Sequence, residues 1–293
     1  MDPVPVSIEA YGHSDVGRYR EENEDQFLVA HLNRSLEVER TSLSIDDQTR
    51  LHGVFQGTLL LVADGMGGEK AGGHASRLAV QTLTTYVLNT MPWFFRLDEK
   101  LADDLIQVLR EGVSRCEAAI HSYRESTVEG SRMGTTVTLA YILWPNMYLV
   151  HAGDSRCYLL RQGQLQQLTR DHTVAQLMAD RGQSDPDRDQ RYGHVLWNAV
   201  GAEPSQPVNP DVTRTCLLFG DTVLLCSDGL HGLVADERIA QILVEGRRLE
   251  DACQGLIDEA LANGGQDNVT VVMARFAPVE GEDEATVIER AVG

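Results

Sequence analysis

The chain is poor in the features that mark several large protein classes. Its five cysteines, Cys116, Cys157, Cys216, Cys226 and Cys253, are scattered, odd in number and free of any Cys-x-x-Cys pair. That spacing argues against a disulfide framework or a zinc site and for a reducing compartment. No apolar run approaches the ~20 residues that span a bilayer, so no membrane segment is expected. Met1-Asp2-Pro3-Val4-Pro5 has neither the basic nor the apolar region of a signal peptide. Basic residues are outnumbered, 25 Lys and Arg against 44 Asp and Glu, for a formal net charge of −19. A surface this acidic repels phosphate backbones, so nucleic acid is not an expected partner. The glycines at 67, 68, 72 and 73 are not followed by Gly-Lys-Ser/Thr, which excludes a P-loop. No internal repeat beyond one short echo and no low-complexity linker divides the chain. The expectation is a cytoplasmic monomer.

What is present is ordinary in bulk, 42% hydrophobic and 24% charged over 293 residues, enough for one large domain with a sizeable core. The echo is more informative. Leu59-Leu60-Leu61-Val62-Ala63-Asp64-Gly65 and Val223-Leu224-Leu225-Cys226-Ser227-Asp228-Gly229 are both apolar runs of strand length ending in Asp-Gly. Two buried strands that stop at a carboxylate can aim both at one hard, oxygen-seeking cation, and glycine lets backbone approach closely.

The pattern along the chain predicts strands over 5–12, 25–32, 58–63, 134–142, 147–152, 156–160 and 269–276, with another before Asp228. Hairpin turns are expected at Gly153-Asp154-Ser155 and Gln162-Gly163. Helical spacing of apolar residues predicts helices over 74–90 and 98–124, and further ones over 173–182, 236–245 and 249–262. Residues 33–57 read as a long surface excursion, 183–193 as a polar mobile insert, and the acidic stretch after Pro278 as a loose tail. Strands come in antiparallel-looking runs with paired helices between them, so the fold class expected is α+β.

Carboxylates fall at expected strand ends or tight turns in five places: Glu24-Asp25, Asp64-Gly65, Asp154, Asp228-Gly229 and Asp267-Asn268. Mg²⁺ or Mn²⁺ takes oxygen ligands and keeps waters, so a few converging carboxylates suffice. Two such ions a few ångströms apart would activate a water and neutralise a phosphoryl group. Each motif alone has a plainer explanation, because Asp-Gly is a common turn dipeptide and Arg20 beside Glu21 and Glu22 is an ordinary solvated cluster. Their ordered joint occurrence carries the argument.

Ser14-Asp15-Val16-Gly17-Arg18-Tyr19-Arg20-Glu21-Glu22-Asn23-Glu24-Asp25 resembles the opening motif of the metal-dependent type 2C Ser/Thr protein phosphatases. Val62-Ala63-Asp64-Gly65-Met66-Gly67-Gly68 resembles their second motif. Gly134-Thr135-Thr136, Ala152-Gly153-Asp154-Ser155-Arg156, Thr169-Arg170-Asp171-His172-Thr173, Cys226-Ser227-Asp228-Gly229-Leu230 and Gln266-Asp267-Asn268-Val269-Thr270 follow in the family's order. The resemblance covers about residues 7–276 and is closest in style to bacterial members.

It implies a central sandwich of two antiparallel β-sheets flanked by helix pairs (α-β-β-α), formed by one catalytic domain over 1–278. A flap-like insert falls at about 173–200 and an acidic, flexible tail at 279–293. It implies two Mn²⁺ or Mg²⁺ ions bridged by Asp64, with Asp228 and Asp267 on one ion and the carbonyl of Gly65 on the other. Glu24 and Asp25 would hold metal-bound waters, and a third, weaker ion would lie near Asp154 and Asp228. Arg20 matches the family's phosphate-binding arginine, a role that suits a guanidinium fork better than an ammonium.

The implied reaction is hydrolysis of phosphoserine and phosphothreonine on proteins by a water between the ions, reversing a cognate Ser/Thr kinase. One departure from some eukaryotic members is Met66, where they carry a histidine assigned as the acid for the leaving group; Met66 has no proton to give. His172 reads as structural, bracing a turn. Two other functions remain as alternatives: a catalytically weak regulatory or binding protein on the same fold, and a small-phosphoester hydrolase. The intact set of Asp64, Asp228, Asp267 and Arg20 favours the enzyme over the binding protein.

Overall fold

The computed structural model describes residues 6–37, 50–67, 70–90, 99–127, 133–183, 185, 191–202 and 207–279. One sheet has the order β1 (Val6–Asp15), β12 (Val269–Pro278), β11 (Thr222–Cys226), β8 (Arg156–Arg161), β9 (Gln164–Gln167). The other has the order β10 (Asp211–Cys216), β7 (Asn146–Ala152), β6 (Val137–Leu143), β3 (Arg50–Ala63), β2 (Gln26–Glu37). All neighbours pair antiparallel. A third, two-stranded sheet joins β4 (Gly65–Gly67) to β5 (Met133–Thr135). The helices are α1 (Ala71–Thr90), α2 (Glu99–Ser126), α3 (Val174–Asp180), α4 (Asp228–His231), α5 (Asp236–Glu245) and α6 (Leu249–Ala262).

The strand period of two sorts the apolar runs into layers. Leu60 and Val62 face inward with Ala140, Ile142, Val223, Leu225, Val272 and Phe276, filling the space between the sheets. Leu59 and Leu61 face the other way, onto Leu83 and Val87 of α1 and Leu105, Leu109 and Val113 of α2. On the far side, Leu224, Cys226, Val271 and Met273 pack on Ile239 of α5 and on Leu256 and Ile257 of α6. The result is the expected α-β-β-α layering. It explains why Leu59–Val62 has no polar alternation: both faces of β3 are covered, and all four side chains are buried.

Four expectations change. The excursion over 33–57 is largely strand where it is described, since β2 runs to Glu37 and β3 begins at Arg50. Beside β3, β6 pairs only with Thr58–Val62, so the outer part of the β2–β3 ladder has no second neighbour to impose an apolar pattern. The strand expected over 134–142 breaks at Thr136, where the chain passes from β5 to β6. The glycine-rich stretch after Asp64 opens as strand β4. Strand β10 is missed by the sequence reading because it is a polar edge strand, paired only with β7. Most of the insert at 183–193 and all of the tail after residue 279 lie outside the described residues. Among the described residues no helix is long and apolar enough to cross a membrane.

Candidate metal centre

Antiparallel register collects the acidic motifs at one end of the sandwich. The start of β2 lies beside the end of β3 (Gln26 opposite Ala63), and the start of β6 beside the end of β7 (Val137 opposite Ala152). In the other sheet the end of β11 lies beside the starts of β8 and β12 (Cys226 opposite Arg156 and Val271). Asp25 precedes β2, Asp64 follows β3, Asp154 follows β7, Asp228 follows β11 and Asp267 precedes β12. Strand polarity alone therefore brings together carboxylates separated by up to about 240 residues.

Each is fixed by backbone or hydroxyl groups. The Asp64 N–H donates to Thr136 Oγ1 at 2.9 Å, and its carbonyl accepts from the Thr136 N–H at 2.9 Å and from Thr135 Oγ1 at 2.8 Å. Asp25 Oδ2 accepts from Ser227 Oγ and Thr270 Oγ1, each at 2.7 Å, which ties β2 to β11 and β12. The Glu24 N–H donates to Asn268 Oδ1 at 2.8 Å, and its carbonyl accepts from Ser76 Oγ of α1 at 2.6 Å. Arg20 Nη2 donates to Asp267 Oδ2 at 2.7 Å from a half-exposed position, which leaves further N–H donors of the guanidinium. The Asp154 carbonyl lies 3.0 Å from His231 Nε2.

Glycine matters at both Asp-Gly steps, for different reasons. A Cβ on Gly65 would lie 2.3 Å from the Gly72 carbonyl oxygen and 2.7 Å from that of Glu24, so this crossing of three backbones admits no side chain. Gly229 sits in the one-turn helix α4 rather than in a turn; its Cβ would meet the Asn268 carbonyl oxygen at 2.0 Å. The second glycine is therefore required by a close crossing and not, as its dipeptide suggests, by turn conformation.

Burial and neighbouring negative charge raise several carboxyls of the cluster. Burial, opposed by the Thr270 and Ser227 hydrogen bonds, pushes Asp25 up to about 7. Burial and then the charge of Asp228 push Asp154 up to about 8. Asp64 is raised well above the carboxylate range by burial and by the charges of Asp25 and Asp228, and Asp228 is raised by burial and by Asp267. Carboxylates this close cannot all ionise without a cation between them. The donor set is oxygen throughout, which fits Mg²⁺ or Mn²⁺ rather than a softer metal. Among the described residues no three His, Cys, Asp or Glu side chains alone converge on one ion. Hard cations do not require that, since carbonyls and waters complete their shells.

Sequence reasoning overlooked the polar groups that hold the carboxylates. Thr135, Thr136, Ser227 and Asn268 all lie inside the motif strings, but only the acidic members drew a role. Asn268 shows what was missed: its Nδ2 donates to the carbonyls of Val16 at 2.9 Å and Glu22 at 3.1 Å while Oδ1 takes the Glu24 N–H. One amide thus shapes the loop that carries Arg20. His172 is structural as expected: it is buried, and its Nδ1 accepts the Gly153 N–H at 3.2 Å.

The family model for protein phosphatase 2C matches residues 37–263. The chain belongs to the protein phosphatase 2C family. That match contains Asp64, Asp154 and Asp228, while Arg20, Glu24, Asp25 and Asp267 lie outside it. The chain is 37% identical over 217 residues to the serine/threonine protein phosphatase PstP of Mycobacterium tuberculosis, covering 74% of this chain but 40% of that protein's length. It is 32% identical over 227 residues to the serine/threonine phosphatase stp of Listeria monocytogenes, covering 75% of this chain and 87% of the relative. Among solved structures, Stp1 of Staphylococcus aureus superposes with a TM-score of 0.75 at 28% identity, covering 96% of this chain and 98% of that one. The catalytic domain of PstP in complex with two manganese ions superposes with a TM-score of 0.70 at 32% identity, covering 93% and 100%.

Proposed function

We propose that this protein is a metal-dependent protein serine/threonine phosphatase. The observation that carries the reading is the gathering of Asp25, Asp64, Asp154, Asp228 and Asp267 with Arg20 at one end of the sandwich, where burial and neighbouring negative charge raise the carboxyls of Asp25, Asp64, Asp154 and Asp228. Family membership and the two manganese ions of the PstP structure support the same reading.

In this reading Asp64 would help hold both of two Mn²⁺ or Mg²⁺ ions, Asp228 and Asp267 would hold one of them, and the Gly65 carbonyl would hold the other. Glu24 and Asp25 would hold metal-bound waters, and Asp154 with Asp228 would hold a third, weaker ion. Bound there, divalent cations would lower the pKa of a water and offset phosphoryl charge. The chain's own groups do the rest. Ser227 and Thr270 hold Asp25 to one rotamer, and Thr136 fixes the backbone of Asp64. Arg20 is anchored through one nitrogen to Asp267 and presents its remaining donors to a phosphoryl group. Met66, next to Gly65 in β4, offers no proton to a leaving alkoxide.

We also propose a single catalytic domain over 1–278 that acts as a cytoplasmic monomer on phosphoproteins, opposite a Ser/Thr kinase. Free, mostly buried cysteines support a reducing compartment. The test is phosphate release from a phosphothreonine peptide by the purified chain with Mn²⁺, lost in Asp228→Ala. Metal binding without turnover would instead indicate the binding-protein alternative.

A further inference from the structure

The stretch Leu196–Val200, which returns from the polar insert, is tied at both ends to backbone that carries the carboxylate cluster. At one end Val200 and Thr135 exchange backbone hydrogen bonds, each 2.9 Å, and Thr135 Oγ1 in turn donates to the Asp64 carbonyl at 2.8 Å. At the other end Asn198 Nδ2 donates to His172 Nδ1 at 2.9 Å, and the Gly153 N–H donates to the same nitrogen at 3.2 Å. The His172 N–H returns to the Gly153 carbonyl at 2.7 Å. The next residue after Gly153 is Asp154.

The partners fix the protons. Asn198 Oδ1 accepts the Asn209 N–H at 3.1 Å, and its Nδ2 also donates to the Asn209 carbonyl at 2.8 Å, which sets the amide orientation. His172 Nδ1 faces two N–H donors and must present its lone pair. Its proton is then on Nε2 and goes to Asp211 Oδ2 at 3.1 Å. The ring is buried between His151 and Trp197, at centroid distances of 4.8 and 5.1 Å. It cannot turn without losing all of these bonds. Beyond it, the Asp154 carboxylate is buried, and among the described residues no side-chain donor bonds it. Its direction in space therefore depends on the turn that precedes it.

We propose that Asn198, acting through His172, is a positioning residue for a divalent cation at Asp154. The inference rests on the phosphatase reading above. It makes the segment after the insert part of the cation site: Asn198 holds the Gly153–Asp154 turn through His172, while the separate Val200–Thr135 pair keeps the Asp64 backbone in place. Groups bonded directly to metal ligands typically matter by about 10- to 100-fold in metal affinity, and Asn198, which acts through His172 and the Gly153 backbone, is expected at the lower end of that range.

The test is calorimetric Mn²⁺ binding to the full chain stripped of metal. The component lost in Asp154→Asn defines binding at that residue. Asn198→Ala and His172→Gln should weaken this component by about 10-fold or more and leave the tighter binding unchanged. His172→Asn should preserve it, because the asparagine Oδ1 can stand where Nδ1 stood and accept both donors. Wild-type binding in Asn198→Ala, equal loss in His172→Asn and His172→Gln, or no change in Asp154→Asn would each overturn the proposal. Should the Asn198 or His172 variants fail to fold, Asp211→Ala at an exposed strand start serves instead. There a few-fold weakening of the same component is expected, and an unchanged isotherm overturns the proposal. Failure of the phosphatase reading would appear separately, as absent phosphate release by wild-type protein loaded with Mn²⁺.

Discussion

Asp64-Gly65 and Asp228-Gly229 each close a buried strand, β3 and β11, yet the chain leaves the two strands differently. After Asp64 it stays extended and forms β4 against β5, with the aspartate's backbone held by Thr135 and Thr136. After Asp228 it coils into the one-turn helix α4, closed by the Gly232 N–H on the Asp228 carbonyl at 2.8 Å. The glycines differ as well. Gly65 makes room for Gly72 and Glu24, which brings α1 and the opening motif to the site; Gly229 makes room for Asn268, which brings in Asp267. The same dipeptide thus solves one problem, the crossing of backbones at a carboxylate, with two local structures.

If both aspartates hold cations, removing either should be the most damaging change available. Asp64→Ala and Asp228→Ala should each lower Mn²⁺-dependent phosphate release by at least about 100-fold, as expected where metal ions supply several kcal/mol of transition-state stabilisation. Steady-state assays on folded protein check this, and near-normal turnover in one variant would break the symmetry. Arg20 sharpens the comparison because its anchor, Asp267, belongs to the Asp228 side. Arg20→Ala should raise KM for a phosphopeptide by about 10-fold while kcat falls less, since the guanidinium binds phosphate before as well as during reaction. An unchanged KM would remove Arg20 from substrate binding.

The glycine crossings give a smaller, structural test. Gly65→Ala and Gly229→Ala each push a Cβ into backbone and should cost about 1–3 kcal/mol in denaturant unfolding. Tolerance of Gly229→Ala would mean that the crossing with Asn268 does not require glycine. The smallest effect concerns pH. The carboxyls of Asp25 and Asp154 have folded values, about 7 and about 8, above their unfolded ones, so the folded state binds the extra protons. Their contribution is fully present below the unfolded value and is lost as pH rises through about 7 to 8. Metal-free protein should therefore lose thermal stability toward alkaline pH, and Mn²⁺ should restore it most there. Thermal melts in chelator with and without Mn²⁺ check the sign.

Much of this was legible in the sequence where burial on both faces left continuous apolar runs, as at Leu59–Val62 and Val223–Cys226. The carboxylates were legible because they end those runs in a fixed order. What escaped the reading was set by pairing rather than by side-chain pattern. Polar β10 and the outer β2–β3 ladder are strands because a neighbour offers backbone partners. Thr136 breaks a strand that its β-branched surroundings favour, because its N–H and hydroxyl are both bonded to the backbone of Asp64. Asn268, Ser227 and Asn198 carry no signal of their own in the sequence, because their roles depend on partners far along the chain.

The central claim, that buried carboxylates with raised pKa values at one end of the sandwich form a divalent-cation site, is tested most directly by calorimetric Mn²⁺ binding to metal-free protein at about pH 6 and about pH 8.5 in buffers of different ionisation enthalpy. The account predicts proton release on binding at the lower pH and tighter binding at the higher. Absence of binding, or binding at the lower pH without proton release, would contradict it.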